Sequence, residues 1–204
     1  MLEKHVQNWW ALGLDSQILY FQLKIMNDSK GLINEKKWWN YVHEDIRELI
    51  LQSILLTKTA EKWEKDITSR IKYDSFNRHK FHDYSFIVFP AAKAYEGFLK
   101  KVFLDLGFIT EEDYFGKHFR IGKALNPSLE KRLRISEGVY DKVVKYCSGE
   151  ALAKTLWSTW KDCRNLLFHW FPNERNAISL EEARGCVDKV IFAMDQMMTE
   201  CNLQ

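Results

Sequence analysis

The sequence predicts an all-α fold, and three observations support this prediction. The 204-residue chain contains only three prolines and nine glycines, so few positions interrupt a helix. Apolar residues recur at three- and four-residue steps in several segments, which is the period of an amphipathic helix. No stretch alternates apolar and polar residues as a half-buried strand does. With 46% apolar and 28% charged residues, the chain has the composition of a globular protein with a sizeable core.

Residues 1–76 are predicted to form an N-terminal helical segment with three helical runs. The first is the apolar-rich stretch from residue 1 to about residue 28. The second covers residues 35 to about 57, where large apolar residues follow the helical period. The third covers residues 59–72. The polar stretch at residues 73–80 is the candidate boundary to the second domain.

The second predicted domain, residues 77–204, begins with a long helix that Gly107 ends. Pro90 is expected in the first turn of this helix or at a kink, because a proline inside a helix removes a hydrogen bond and clashes with the preceding turn. Thr110 is expected to begin a short helix. Residues 116–137 are expected to be irregular.

Two further helices complete the second predicted domain. A run of apolar residues predicts a helix from about Glu150 to Trp170, which Pro172 ends. The segment Ser179–Glu182 matches a capping box, in which a serine and a glutamate satisfy the free amides of a first helical turn. It predicts a last helix that continues to about Cys201.

Charge and hydropathy exclude several functional classes. Lys and Arg number 30 against 28 Asp and Glu, so the formal net charge is +2, which excludes a polybasic coat or an acidic tail. Residues 1–76 contain equal numbers of acidic and basic residues, so the excess lies in the second domain. No stretch reaches the roughly 18 uncharged apolar residues of a membrane span, and the first residues do not resemble a secretory signal. We therefore expect a cytoplasmic protein without a membrane partner.

The four cysteines are widely spaced and none forms a C-x-x-C pair, so we expect reduced thiols and neither a zinc site nor a disulfide framework. They are Cys147, Cys163, Cys186 and Cys201. Eight tryptophans contribute to an aromatic content of 14%. They follow helical stripes, which assigns most of them to the core and leaves at most one or two to stack on nucleic-acid bases.

Residues 164–169 are the strongest candidate for chemistry. On a regular α-helix Asn165 and His169 lie one turn apart on the same face, and Arg164 lies roughly 140° around from His169. A histidine titrates near neutrality and can move a proton to or from a ribose or leaving-group oxygen, while an arginine can bind the phosphate of an RNA chain. Asn165 can orient the imidazole. The alternative is a helix end whose polar side chains are solvated.

Glu96 is the second candidate, on the polar side of the otherwise apolar helix that Gly107 ends. A carboxylate held inward near Arg164 can orient that side chain or share in proton transfer. The alternative is a surface glutamate paired with Lys100 one turn away, a contact worth a few tenths of a kcal/mol.

Basic residues cluster in the segment expected to be irregular, and such a cluster either follows a phosphate backbone or forms a solvated surface. Its members are Lys117, Arg120, Lys123, Lys131, Arg132 and Arg134. His79, His82 and Asp83 have the spacing of a metal clip, but they lack a further pair of ligands. We therefore predict neither a metal site nor a cofactor.

Two of these motifs resemble those of known ribonucleases. Arg164-Asn165-x-x-x-His169, near the end of an all-α domain, is similar to the Arg-x4-6-His catalytic motif of HEPN ribonucleases. Residues 83–90, Asp-Tyr-Ser-Phe-Ile-Val-Phe-Pro, followed by Ala-Tyr-Glu-Gly at 94–97, resemble the segment that opens the toxin domain of the RnlA/LsoA (RNase LS) family. The order of the motifs also fits, and the resemblance covers about residues 79–204.

The resemblance implies a HEPN-like helical bundle that acts as a metal-independent endoribonuclease toxin of a toxin–antitoxin or antiphage system. Arg164 and His169 match the catalytic pair of that family, Glu96 matches the acidic residue placed with them, and Asn165 matches the polar position. Such enzymes are similar in acting as homodimers, with both Arg/His pairs in one RNA cleft that an antitoxin protein covers.

The chain departs from the family in two respects. RnlA-type toxins carry N-terminal domains of mixed α/β type, whereas residues 1–76 are predicted to be helical here. HEPN toxins paired with nucleotidyltransferase antitoxins have a tyrosine two residues after the histidine, where this chain has Phe171, so modification there is not expected. The alternatives are a non-catalytic helical RNA-binding module and a protein-interaction subunit in which Arg164 and His169 serve a dimer contact.

Overall fold

The computed structural model describes residues 33–70, 81–147, 149–173 and 177–203. These residues form helices and turns without a strand, which confirms the predicted all-α fold. None of the helices among them combines the length and low charge that crossing a bilayer requires. The apolar stretch predicted at residues 1–28 and the candidate boundary at residues 73–80 lie outside the described residues.

The helices are numbered in chain order, and a π-helical turn at Lys161–Asn165 directly follows the eighth. They are α1 (Lys37–Tyr41), α2 (Glu44–Arg70), α3 (Ser85–Asp105), α4 (Glu111–Phe115), α5 (Ile121–Ala124), α6 (Lys131–Glu137), α7 (Tyr140–Tyr146), α8 (Glu150–Trp160) and α9 (Leu180–Glu200).

Helix α3 is the central helix of the described structure. α2 packs against it most extensively, α9 packs along another side, and α4, α5 and the π-helical turn also contact it. Eleven of its 21 residues are buried, because their apolar side chains contact neighbours in several directions. The few charged residues of α3, Glu96 among them, mark the directions in which this helix remains accessible.

Helices α1 and α2 correct the predicted division into residues 35–57 and 59–72. The helical run is interrupted between α1 and α2. The carbonyl of His43 accepts hydrogen bonds from the amides of Ile46 and Arg47 at the start of α2. From there α2 continues without a break past residue 58. Thr57 donates its hydroxyl to the carbonyl of Ser53 at 2.8 Å, so its polar group is satisfied inside the helix and does not interrupt it.

Pro90 lies inside α3, in its second turn, so of the two predicted places, the first turn or a kink, the first turn is wrong. A proline cannot donate a backbone hydrogen bond, and its ring displaces the carbonyl of the preceding turn. The amide of the next residue, Ala91, donates to the hydroxyl of Ser53 on α2 at 2.8 Å. Both residues are fully buried. The hydroxyl therefore satisfies a buried amide beside the proline, at the contact between α2 and α3.

Residues 116–137 are not irregular throughout, because α5 and α6 lie within them. These helices have four and seven residues, too few turns for a periodic apolar pattern to emerge. The expectations at three helix ends are confirmed. Gly107 has a φ of +67° just after α3, and Thr110 and Ser179 each form a capping box.

The cysteines correct the expectation of four reduced thiols, because Cys147 and Cys201 form a disulfide. Cys147 follows α7 and Cys201 follows α9, and their Cα atoms lie 4.5 Å apart although 54 residues separate them. Cys163 and Cys186 remain thiols that hydrogen-bond to each other. This hydrogen bond is the main cause that raises the pKa of Cys163, and burial raises it further. The same hydrogen bond lowers the pKa of Cys186.

We expect Ser53→Ala to lower the free energy of unfolding by about 1–3 kcal/mol, because it leaves the buried amide of Ala91 without its acceptor. Urea denaturation measures this loss. Ser136→Ala is the matched control, since the Ser136 hydroxyl is exposed and, within the described part of the chain, bonds only to carbonyls of its own helix. Its effect should stay within about 0.5 kcal/mol. Equal losses in the two variants would contradict the role given to Ser53.

Alkylation of the native protein, mapped by mass spectrometry, should modify Cys186 first and buried Cys163 slowly. Cys147 and Cys201 should react only after reduction. Cys163→Ala removes the thiol hydrogen bond that lowers the pKa of Cys186, so at about pH 8 the thiolate fraction and the alkylation rate of Cys186 should fall. A faster reaction of Cys186 in the variant, or modification of Cys147 before reduction, would contradict these assignments.

Candidate active site

One cavity contains all four of the candidate catalytic residues. It has a volume of about 560 Å³ and is lined by α3, the segment around α5, the end of α8 and the turn that follows α8. Three of the six basic residues in the predicted phosphate-binding cluster also line it. The predicted site residues in the cavity are Glu96, Lys117, Arg120, Lys123, Arg164, Asn165 and His169.

Glu96 on α3 and Arg164 in the π-helical turn form an ion pair, with 3.9 Å between Oε2 and Nη2. This distance is longer than a hydrogen bond, and both side chains are more than a third exposed, so the pair adds little to stability. Among the described residues Glu96 forms no ion pair with Lys100. The carboxylate instead lies 3.9 Å from a guanidinium that lines the cavity and is partly exposed there.

Tyr95, the residue before Glu96, fixes α3 against α8. Its hydroxyl donates to the carbonyl of Leu156 at 3.1 Å, and burial raises the pKa of the phenol well above its ordinary value. The tyrosine is therefore a neutral donor at any physiological pH. Because this bond joins the two helices next to the cavity, it sets the separation between Glu96 and the chain that carries Arg164.

Trp160 forms the wall of the cavity behind Arg164. The Cζ atom of Arg164 lies 5.1 Å from the centre of the Trp160 ring, within the range of a cation–π contact. On the other side α5 approaches closely, since a Cβ atom added at Gly122 would lie 2.5 Å from the indole Nε1. Glycine at residue 122 is therefore required for Trp160, and with it Arg164, to occupy this position.

The chain after α8 corrects the predicted α-helix from Glu150 to Trp170. α8 ends at Trp160, and in the π-helical turn the amide of Leu166 bonds to the carbonyl of Lys161 at 2.9 Å. The angles of a regular α-helix therefore do not apply between Arg164 and His169. A π-helical turn is rare and often occurs at functional sites.

Helix α9 holds the π-helical turn at two neighbouring positions. Lys189 forms an ion pair with Asp162, and Cys186 hydrogen-bonds to buried Cys163. These contacts lie directly before Arg164. The turn that carries the arginine is therefore fixed by α9 from one side, while Trp160 and Glu96 limit the guanidinium from the other.

His169 lies at the exposed mouth of the cavity, beyond the π-helical turn. Its ring centre is 6.1 Å from that of Phe171, a tilted aromatic contact. Asn165 is partly buried and lines the same cavity. An exposed imidazole that lines the same cavity as the Arg164 guanidinium is accessible to a ligand entering that cavity, which is the first requirement for proton transfer to the ligand.

The cavity has a positive lining although the chain is nearly neutral. Among the described residues that line it, four are cationic and one, Glu96, carries a carboxylate. Lys117 and Arg120 are exposed and form no ion pair with any described residue, whereas Lys123 pairs with Glu137 at 2.6 Å. The local potential therefore favours an anionic ligand such as a phosphodiester.

Arg132 and Arg134 are not brought to this cavity. Both belong to α6, and Arg134 makes two hydrogen bonds to the carboxylate of Asp141 and a third to the carbonyl of Pro127. The guanidinium lowers the pKa of Asp141, as expected for a carboxylate that accepts two charge-assisted bonds. Arg134 is thus occupied in joining α6 to α7.

The described residues contain no group of three or more histidine, cysteine, aspartate or glutamate side chains arranged to hold a metal ion. Asp83, one member of the suggested metal clip, accepts hydrogen bonds from the amides of Ser85 and Ile178. Burial raises the pKa of Asp83, but the bonds from Ser85 and Ile178 outweigh it and lower that pKa. This carboxylate joins the beginnings of α3 and α9. His79 lies outside the described residues.

Sequence reasoning missed the aromatic and glycine residues of the cavity, namely Phe119, Gly122, Trp157 and Trp160. A weak signal was present. Trp160 precedes Arg164 by four residues, a spacing that places an aromatic ring beside a guanidinium on one helix face. The contact of Trp160 with Gly122 has no such signal, because 38 residues separate the two.

We expect Gly122→Ala to lower the free energy of unfolding by about 1–3 kcal/mol, because the new methyl group overlaps Trp160 and forces one of the two to move. Gly185→Ala is the matched control, since nothing lies within 4 Å of its added Cβ atom inside α9. It should raise stability by about 0.4–1 kcal/mol. Thermal and urea denaturation measure both changes, and a neutral Gly122→Ala would contradict the close contact.

Comparisons of this chain with protein-family models, with curated proteins and with solved structures found no match. The chemistry of the cavity is therefore the feature that indicates a function. The cavity of about 560 Å³ contains the imidazole of His169, the guanidinium of Arg164 and the carboxylate of Glu96. The exposed cations Lys117 and Arg120, called the cationic rim below, also line it.

Proposed function

We propose that this protein is a metal-independent endoribonuclease of the HEPN type that acts as a toxin of a toxin–antitoxin or antiphage system. One observation carries the proposal. Glu96, more than 60 residues before Arg164 in sequence, lies 3.9 Å from it in the cavity that also contains Asn165 and His169. The motif similarity assigns these four positions to one ribonuclease site, and their convergence supports that assignment.

The proposed reaction is transesterification at an RNA phosphodiester. His169 takes the proton from the ribose 2′-hydroxyl, and the 2′-oxygen forms a bond to phosphorus. The bond from phosphorus to the 5′-oxygen breaks, and a protonated imidazole gives that oxygen its proton. In a homodimer the histidine of the second subunit supplies this acid. The products carry a 2′,3′-cyclic phosphate and a 5′-hydroxyl.

Arg164 stabilises the negative charge that develops on the phosphoryl oxygens, because its planar N–H donors are directed at an anion in a partly enclosed site. Glu96 and Trp160 are positioning residues for this guanidinium. Lys117 and Arg120 bind neighbouring phosphates, which explains a cationic rim in a chain whose net charge is only +2.

The proposed active form is a homodimer in the cytoplasm, held inactive by an antitoxin protein that covers the cavity. Exposed aromatic side chains near the catalytic histidine support a protein contact there. Trp170 is 76% exposed, and Phe89 is 52% exposed and meets Phe168 edge to face. Apolar surface of this kind next to a polar site is typical of interaction faces.

RNA cleavage in the presence of a chelator tests the proposal. We expect the wild type to cut RNA, and both His169→Ala and Arg164→Ala to cut at least about 100-fold more slowly. Glu96→Gln keeps the side-chain shape and removes the charge, so its loss should be smaller. Mapping of the RNA ends should show cyclic phosphates, and light scattering should give twice the mass of one chain.

Two exposed residues outside the cavity provide matched controls. His43→Ala removes an imidazole, and Arg184→Ala removes a guanidinium that pairs with Glu61. Both variants should cleave as the wild type does. Cleavage that persists in His169→Ala and Arg164→Ala would overturn the proposal, and binding without any cleavage would favour the non-catalytic RNA-binding module.

A further inference from the structure

Two tryptophans one helical turn apart, Trp157 and Trp160, line the cavity but have different surroundings. Trp160 is only 4% exposed, and its ring is taken up by the guanidinium of Arg164 and by the backbone of α5 at Gly122. The Trp160 side chain is therefore almost completely covered by other residues of the protein. It holds Arg164 and has no free face for a ligand.

Trp157 is partly buried, and part of its ring packs against the core. Among the described residues it has no aromatic ring and no cation stacked on it. The remainder of its surface belongs to the cavity wall, together with partly buried Phe119. Contact between the apolar indole and water is unfavourable. A planar ligand that stacks on the indole would displace this water and would be stabilised by the hydrophobic effect.

We propose that Trp157 is the stacking surface for one unpaired nucleobase of the RNA that enters the cavity. This inference rests on the proposed ribonuclease function, for which it names a binding residue. Each nucleotide has a planar apolar base joined to an anionic phosphate, and the cavity is lined by the Trp157 indole as well as by Lys117 and Arg120. A volume of about 560 Å³ is in the range of sites that enclose a ligand of this size.

Stacking on Trp157 requires a base whose face is free. In a duplex both faces of each base are covered by its neighbours, so entry would first require unstacking and unpairing. The site should therefore bind single-stranded RNA in preference to a duplex of the same sequence. Because every base has a flat face, the stacking itself should depend little on sequence.

The test is a comparison of affinity for two labelled single-stranded RNAs of equal length, one with all its bases and one abasic at every position. Fluorescence anisotropy is measured with full-length His169→Ala as the parent, so that the RNA stays intact. Trp157→Ala in this parent should lose roughly 5- to 100-fold in affinity for the RNA with bases. Its affinity for the abasic RNA should match that of the parent.

Trp157→Phe keeps an aromatic surface and should retain most of the affinity, which also shows that the pocket still folds. Trp63→Ala is the matched control, since this exposed tryptophan of α2 packs against Phe81 outside the cavity. It should bind both RNAs as the parent does. Equal affinities of Trp157→Ala and the parent, or an equal loss for both RNAs, would overturn the inference.

The two proposals fail in different measurements. If the wild type does not cleave RNA but Trp157→Ala weakens binding only when bases are present, the catalytic proposal is wrong and the stacking role stands. If the wild type cleaves and Trp157 has no base-dependent effect, the catalytic proposal stands and the stacking role is wrong. A parent that binds neither RNA overturns the stacking role.

Discussion

Burial of α3 is the constraint that organises this molecule. Its apolar side chains contact α2, α9 and the short helices, so the orientation of the helix is fixed by packing in several directions. Glu96 can therefore face only the cavity side. Through the bond from Tyr95 to the Leu156 carbonyl, the same helix also sets the position of α8. The geometry of the candidate site follows from the core and not from the weak ion pair within it.

The site depends on two different kinds of contact. Shape places Trp160, because α5 approaches it so closely that only glycine is accommodated at residue 122. Arg164 makes the charged contacts, with the Trp160 ring at 5.1 Å and with Glu96 at 3.9 Å, and the exposed cations that line the cavity add a positive potential. Because the shape contacts are buried and the charged contacts are half exposed, salt should weaken ligand binding far more than it alters the site itself.

The sequence was sufficient for the helical class, because long amphipathic periods and capping boxes are local signals. It could also place Arg164, Asn165 and His169 together, since they are neighbours along the chain. It failed for Arg132 and Arg134, because a short helix spreads adjacent side chains around its axis and the partner of Arg134 lies on another helix. Contacts over long separations, such as that of Gly122 with Trp160, leave no local pattern.

The disulfide closes a covalent ring that begins after α7 and ends after α9. Arg164, Asn165 and His169 lie inside this ring, whereas Glu96 and the cationic residues around α5 lie outside it. A ring of this length lowers the conformational entropy of the unfolded chain, which in the chain-entropy model stabilises the folded state by about 4 kcal/mol. Reduction of the disulfide would release the chain segment that carries Arg164, Asn165 and His169 from this constraint, whereas α3 and α5 lie outside the ring. The stability of the segment that carries the candidate catalytic pair therefore depends on the redox potential of the surroundings.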